Sequence, residues 1–423
     1  MTRRPSALLI APTLPAEGGS GLGIRAGMIL EALAADHDVS LLVVPVTGTV
    51  PPTGVSPFVD RLTVRATIAD LTGLRTDSHL ALIARVRDPA AREEALRAFP
   101  RPLLTGVATR DVVTAATAPL ASVPFDLVLV MRLYLAPFGA PWLDAPNPSR
   151  RPRCVIDVDD DEVRTHQTLA ALHQARGDAT AASRATREAE RYAQFEREYL
   201  PRFGRVLIGT SADQAALQAR LALETVRVVP NAVRLPLIAP GPRPAAWRLL
   251  LVGSLGYAPN ADAADVLCHH VLPRLRAAVQ HSVEVEIVGT RPGPDVARLA
   301  ELPGVRVAAD VPSVDPHYAR CRLAVAPIRA GGSTRIKILE AFAHRRPVVS
   351  TRLGAEGLGA LDGVHLLLAD GPVAFAESCL RLLRDDGLAE RLVASSADLV
   401  AARFAFPVMA QRIADLCQEI LGR

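Results

Sequence analysis

Short apolar runs alternate with amphipathic stretches along almost the whole chain. Residues 7–11, 39–44, 126–131, 154–158 and 206–208 are continuous apolar or nearly apolar runs of strand length. Between the first two, 22–33 carries Ile24, Met28, Ile29 and Leu33 at helical spacing. Short unbroken apolar strands separated by helices predict parallel α/β architecture, because such strands are covered on both faces. The pattern then restarts. Strands are predicted at 248–252, 283–288, 323–326 and 348–350, with helices at 261–275, 295–302 and 336–344.

A Pro- and Gly-dense stretch at 230–244 separates the two series and reads as a linker, with the boundary near 236–246. The pattern therefore predicts two Rossmann-like domains facing each other across a cleft. They are 1–238 and 239–404, with a helix at 405–423 returning to the first domain. Segment 179–199 is rich in Arg, Glu and Ala. It predicts a long, mostly exposed helix with Glu188, Arg191 and Glu196 on solvated faces.

Composition narrows the function. A length of 423 residues with 49% hydrophobic and 22% charged residues excludes a disordered or fibrous chain. The net charge of +4 is spread along the sequence without a basic tract, which argues against nucleic acid. Five scattered cysteines lack metal-ligand spacing and read as reduced core thiols, consistent with a cytoplasmic setting. No run approaches the roughly 20 apolar residues of a membrane span. Peripheral membrane contact through the arginines at 85–101 stays open.

One count changes the picture. Of 48 Lys and Arg residues, a single one is lysine, Lys337. Arginine has taken every other cationic position, so the remaining ammonium marks either a place that needs a compact, mobile charge or a chance survivor, and its neighbours decide between the two. It lies in the segment Gly-Gly-Ser-Thr-Arg-Ile-Lys-Ile-Leu-Glu, 331–340. A strand ends at Ala326, Gly331 and Gly332 follow, Ser333 and Thr334 are candidate helix caps, and Arg335 and Lys337 open the helix. Glycine amides, hydroxyls and a helix N-terminus together suit a diphosphate. Glu340, at i+3 from Lys337, is placed to accept hydrogen bonds from a ribose diol. The plainer alternative is an exposed Lys337–Glu340 ion pair.

Three further segments carry candidate chemistry. Gly18, Gly19 and Gly21 link the first strand to its helix without matching GxGxxG, so they form either a ligand loop or a tight turn. Gly253 and Ser254 follow the strand at 248–252, where their amides would face a phosphate, with Asn260 as a helix cap. The acidic run Asp157, Asp159, Asp160, Asp161, Glu162 needs compensation by backbone donors, arginines or a cation. It serves either sugar hydroxyls or the cap of a helix starting near Glu162. His166 and His173 are weaker candidates for a base.

Taken together, these residues resemble a glycosyltransferase of the GT-B fold, near glycosyltransferase family 4. The carriers are Val-Val-Pro-Asn-Ala-Val at 228–233, Leu-Val-Gly-Ser-Leu-Gly-Tyr-Ala-Pro-Asn-Ala at 251–261, the 331–351 segment, Gly-Ala-Glu-Gly-Leu at 354–358, and His-Leu-Leu-Leu-Ala-Asp at 365–370. The resemblance implies metal-independent transfer from a nucleotide-sugar donor with retained anomeric configuration and no further cofactor. It puts the donor on the C-terminal domain and an unidentified acceptor on the N-terminal one. The family's Glu-x7-Glu motif would require Glu at 332 and 340. Glu340 inherits the ribose role, while position 332 is glycine. Arg335 and Lys337 are then the expected countercharges. A nucleotide-sugar epimerase or hydrolase, or a donor-binding protein without turnover, is the alternative on the same architecture.

Overall fold

A computed structural model describes residues 3–46, 56–69, 71, 79–147, 151–236, 241–332 and 335–422. The chain forms two compact units. The first comprises Met1–Glu17, Arg25–Val229 and Ala410–Arg423, the second Gly18–Ile24 and Pro230–Met409.

The first unit holds strands β1 (Ser6–Ala11), β2 (Asp38–Val43), β3 (Arg65–Ile68), β4 (Leu127–Met131), β5 (Arg153–Asp159), β6 (Arg205–Ile208) and β7 (Val226–Val228). They pair in the order β3-β2-β1-β4-β5-β6-β7, each pair parallel. Ala7 to Ala11 are fully buried, as a central strand covered on both faces must be. Strands β3 and β7 were not legible as apolar runs, because both lie at the sheet margins and carry Arg65 and Arg227. Helix α1 (Gly21–Asp36) follows β1. It packs so closely that a Cβ on Gly27 would stand 2.3 Å from the Ala16 carbonyl oxygen.

Helix α2 (Glu162–Ala175) is capped by Asp161, whose carboxylate accepts from the Arg164 amide at 3.0 Å. Helix α3 (Ala179–Tyr199) has the predicted bounds but not the predicted exposure. Glu188 and Glu196 are buried, with Tyr192, Phe195 and Tyr199 on the same packed face. The correction has a physical cause. Each glutamate is paired with an arginine, Glu188 with Arg191 at 2.9 Å and Glu196 with Arg220 at 3.1 Å. Charged letters alone did not reveal these pairings.

The second unit repeats the plan with β8 (Trp247–Val252), β9 (Val283–Gly289), β10 (Val305–Ala309), β11 (Leu323–Ala326), β12 (Val348–Ser350) and β13 (Leu367–Leu368). The order is β10-β9-β8-β11-β12-β13, again all parallel. The helix expected at 261–275 is divided. Helix α4 (Ala258–Val266) runs into a π-helical turn at Leu267–Val271 and then Leu272–Ala277. Pro273 brings no N–H to the last piece, and the wide turn directly before it absorbs the change of register. Helices α5 (Asp315–Arg320) and α6 (Ile336–Ala343) flank β11 in sequence. Chain order reverses between β1 and β4 in the first sheet, and between β8 and β11 in the second. Open α/β sheets bind ligands outside the carboxyl ends of strands at such points. Among the described residues, no helix is long and apolar enough to cross a membrane.

Candidate active site

At the carboxyl end of β8, Gly253 continues the ladder, its N–H donating to the Val288 carbonyl at 3.0 Å. The reading of a Gly253 amide offered to phosphate is therefore corrected. That donor is spent within the sheet, and the residue instead contributes space. A Cβ there would lie 2.8 Å from Asn260 Nδ2 and 3.1 Å from Lys337 Nζ. Into this space α6 delivers the chain's single lysine. Its ammonium donates to Asn260 Oδ1, and Asn260 Nδ2 in turn donates to the Ser254 carbonyl at 2.8 Å. Asn260 is thus not the cap of α4, a position held by Tyr257. It is a buried bridge between the Ser254 turn and Lys337.

Lys337 is the second residue of α6 and Arg335 occupies its N-cap. Two cations at the positive end of a helix dipole oppose local electrostatics. Burial pushes the Lys337 ammonium down to about 7, Arg335 adds to the fall, and Glu340 works against it. The Arg335 guanidinium folds back on the glycine pair, donating to the Gly332 carbonyl. Its Nε is buried and has no hydrogen-bond partner among the described residues. Gly331 has φ +101°, and a Cβ there would stand 3.1 Å from the Tyr257 hydroxyl and 3.4 Å from Arg335 Nη2. The glycine is thus required both by its backbone and by its neighbours. Ser333 and Thr334 lie outside the described residues.

Glu340 lies one turn further along α6. Burial raises its carboxyl to about 7, opposed by the Tyr318 hydroxyl and the Lys337 charge and assisted by Asp315. The exposed Lys337–Glu340 pair considered from the sequence is not what forms, since Lys337 donates to Asn260 and Glu340 accepts from Tyr318. In the second unit's short segment Gly18–Ile24, a Cβ on Gly21 would be 3.1 Å from Ile336 Cδ1, at the first residue of α6. Gly18 and Gly19 have open space around them, and φ +93° at Gly19 makes that glycine a backbone requirement.

In the first unit the acidic run sits at the carboxyl ends of β4 and β5, and arginines supply its compensation. Arg25 makes a buried fork to Asp157 at 2.8 and 2.6 Å and lies 3.5 Å from Asp159. Arg132 reaches Asp159 at 3.1 Å and also pairs with Glu162. Arg132 and Asp159 both adopt left-handed backbone, at φ +69° and +63°. Burial alone would discharge Arg25, but Asp157 and Asp159 outweigh it and raise its pKa. Among the described residues, no group of three His, Cys, Asp or Glu side chains is arranged to hold a metal ion. His166 stacks on Tyr192 with ring centroids 5.3 Å apart.

Sequence reasoning missed Asn260 as a lysine partner and Tyr318 as a partner of Glu340, and it offered arginines as one way to balance the aspartates without identifying Arg25 and Arg132. Asn260 had a signal, since it follows the same glycine turn that Lys337 enters. Tyr318 had none, because only folding brings it to α6.

Comparison with known proteins bears on the fold. Residues 246–385 match the family model described as glycosyl transferases group 1. No curated protein matches the chain. Sucrose-phosphate synthase from Thermosynechococcus elongatus superposes with a TM-score of 0.71 at 18% identity, covering 99% of this chain and 100% of its own. HepE of Anabaena, solved with UDP and glucose, gives 0.62 at 13% identity, covering 98% and 99%. A TarM variant from S. aureus, solved with fondaparinux, alpha-GlcNAc-glycerol and UDP, gives 0.66 at 9% identity, covering 99% and 100%. The resemblance read from the motifs holds. The chain has the two parallel α/β sheets of glycosyltransferase structures, and its recognised segment forms most of the second unit.

Proposed function

We propose that this protein transfers a glycosyl group from a nucleoside-diphosphate sugar, with the second unit as the donor site. One observation carries the reading. Arg335 and Lys337 crowd the positive end of α6, and among the described residues neither has a carboxylate within ion-pair distance. Such a site is electrostatically incomplete without an anion. A diphosphate supplies the missing charge at the sheet's reversal point beside Gly253. The solved HepE and TarM complexes hold UDP, which supports a uridine nucleotide as the first probe.

In this reading the anomeric carbon–oxygen bond to the diphosphate breaks and a bond to an acceptor oxygen forms. The acceptor's proton leaves with the departing phosphate. Charge that develops on the leaving group is met by Lys337 and Arg335, which are in place before the reaction. Retention of configuration and independence of a metal follow the resemblance and belong to the proposal. So does Glu340 as acceptor of the ribose hydroxyls. Position 332 favours one rival, because Gly332 offers a carbonyl to Arg335 where the resemblance expects a carboxylate. That rival is donor binding without transfer.

Calorimetric titration with UDP and UDP-glucose tests the donor site. Binding that weakens at least about tenfold in Lys337→Met is expected from losing a charged contact. Absence of binding by any nucleoside diphosphate would remove the reading. Released UDP in the presence of candidate acceptors separates transfer from binding alone.

A further inference from the structure

The hydroxyl of Tyr318, on α5, reaches two groups of α6. It lies 3.0 Å from the Lys337 carbonyl oxygen and 3.3 Å from Glu340 Oε2. The ring is held firmly. Tyr318 is 1% exposed and stacks on His344 with centroids 4.7 Å apart and planes 7° from parallel. His344 Nε2 is in turn 3.2 Å from Asp315 Oδ1, at the start of α5.

One phenol proton serves two acceptors. When Glu340 is ionised, the carboxylate is the stronger acceptor and takes it. When Glu340 is protonated, it donates to the phenol oxygen and Tyr318 donates to the Lys337 carbonyl. In both states Oε2 is engaged, and Oε1 has no protein donor among the described residues. A carboxylate gripped at one oxygen loses rotamer freedom and presents the other in a fixed direction.

We propose that Tyr318 is a positioning residue that aims Glu340 at the ribose of the donor, so that preference for ribo- over 2′-deoxyribonucleotides depends on a tyrosine that does not touch the ligand. This rests on the reading of Glu340 as the ribose acceptor. The charged and titratable groups facing Glu340 are Lys337 on its own helix and Tyr318 and Asp315 on α5, with His344 stacked behind Tyr318. Removing the phenol removes a donor to the ionised carboxylate. Glu340 then needs a higher pH to ionise than it does beside Tyr318.

The test titrates UDP and 2′-deoxy-UDP into the full chain as wild type, Tyr318→Phe and Glu340→Ala. The ratio of the two affinities within one variant is insensitive to a modest loss of stability. The wild type should prefer UDP by about tenfold or more, the range of a charge-assisted hydrogen bond. In Tyr318→Phe the preference should shrink to about threefold or less, and the pH below which it fades should move upward. An unchanged ratio and unchanged onset in Tyr318→Phe would overturn the proposal while leaving Glu340 in its role. A wild type without preference, or Glu340→Ala with the wild-type preference, would instead overturn the reading beneath it. Should Tyr318→Phe not fold, His344→Leu removes the stacking partner and keeps the hydroxyl. A smaller fall in the same ratio is then expected, and none would count against the proposal.

Discussion

Replacing Gly253 by alanine is a one-carbon perturbation aimed at the lysine. Its φ is not in the left-handed region, so the backbone accepts alanine and the cost is steric. The new Cβ would stand 2.8 Å from Asn260 Nδ2, 3.0 Å from Asn260 Cγ and 3.1 Å from Lys337 Nζ. Optimal contacts lie near about 3.5–4.0 Å, so both side chains must withdraw by roughly half an ångström or more. Asn260 is buried and tied to the Ser254 carbonyl at 2.8 Å, which leaves it little slack. Overpacking of this kind costs about 1–3 kcal/mol. At about 2–4 °C per kcal/mol, the melting temperature should fall by roughly 2–12 °C. The effect on ligand follows from Coulomb's law. Moving the ammonium from about 4 to about 5 Å from a phosphate charge, at an effective dielectric near 20, reduces the attraction from about 4.2 to about 3.3 kcal/mol. UDP should then bind about fourfold more weakly. Differential scanning fluorimetry and UDP calorimetry measure the two effects, and Gly18→Ala, with no atom within 4 Å of its added Cβ, is the silent stability control. A lowered melting temperature with wild-type UDP affinity would show that Lys337 does not face the phosphates.

Other consequences concern the first unit. Arg25→Met strands the buried Asp157 carboxylate, whereas Asp157→Asn leaves Arg25 with Asp159 at 3.5 Å. Chemical denaturation should show a loss of about 3–5 kcal/mol for Arg25→Met and a smaller one for Asp157→Asn, while the double change loses less than their sum. Additive losses would mean the two groups are not coupled. Burial raises Glu196 to about 7 even beside Arg220. The folded state therefore keeps this proton longer than the unfolded chain, whose glutamates titrate near about 4.3. Its contribution is full below that value and lost as pH rises through 7. Denaturation curves of Glu196→Gln between pH 4.5 and 8 should lose part of the wild-type decline, and an identical slope would count against the shift.

Much of the architecture was legible because strands buried on both faces advertise themselves as apolar runs. Runs 7–11 and 126–131 became the adjacent strands β1 and β4. Marginal strands escaped, since β3 opens on Arg65 and β7 carries Arg227 at its centre. Lys337 was legible through composition, as the survivor of near-complete replacement by arginine. Its environment was not. On the path from Gly253 through Asn260 to Lys337, the last step joins residues 77 apart, and only the parallel sheet brings them together. Glu196 shows the opposite failure. Helical spacing of charged residues implied a solvated face, but Arg220 from another helix allowed the carboxylate to be buried. Pattern records where polar groups occur along the chain, whereas burial depends on partners remote in sequence.

The proton count of UDP binding at pH 8 probes the electrostatics most directly. With an ammonium titrating near 7, about nine tenths of Lys337 is neutral at that pH. A diphosphate placed against it favours the charged form and draws a proton from solvent. Glu340 is already largely ionised there, so ribose binding adds no uptake. Calorimetry in two buffers of different ionisation enthalpy should give an uptake approaching about 0.9 proton in the wild type and close to none in Lys337→Met. UDP binding to the wild type with no uptake, or with proton release, would contradict the account of a depressed lysine recharged by the phosphates.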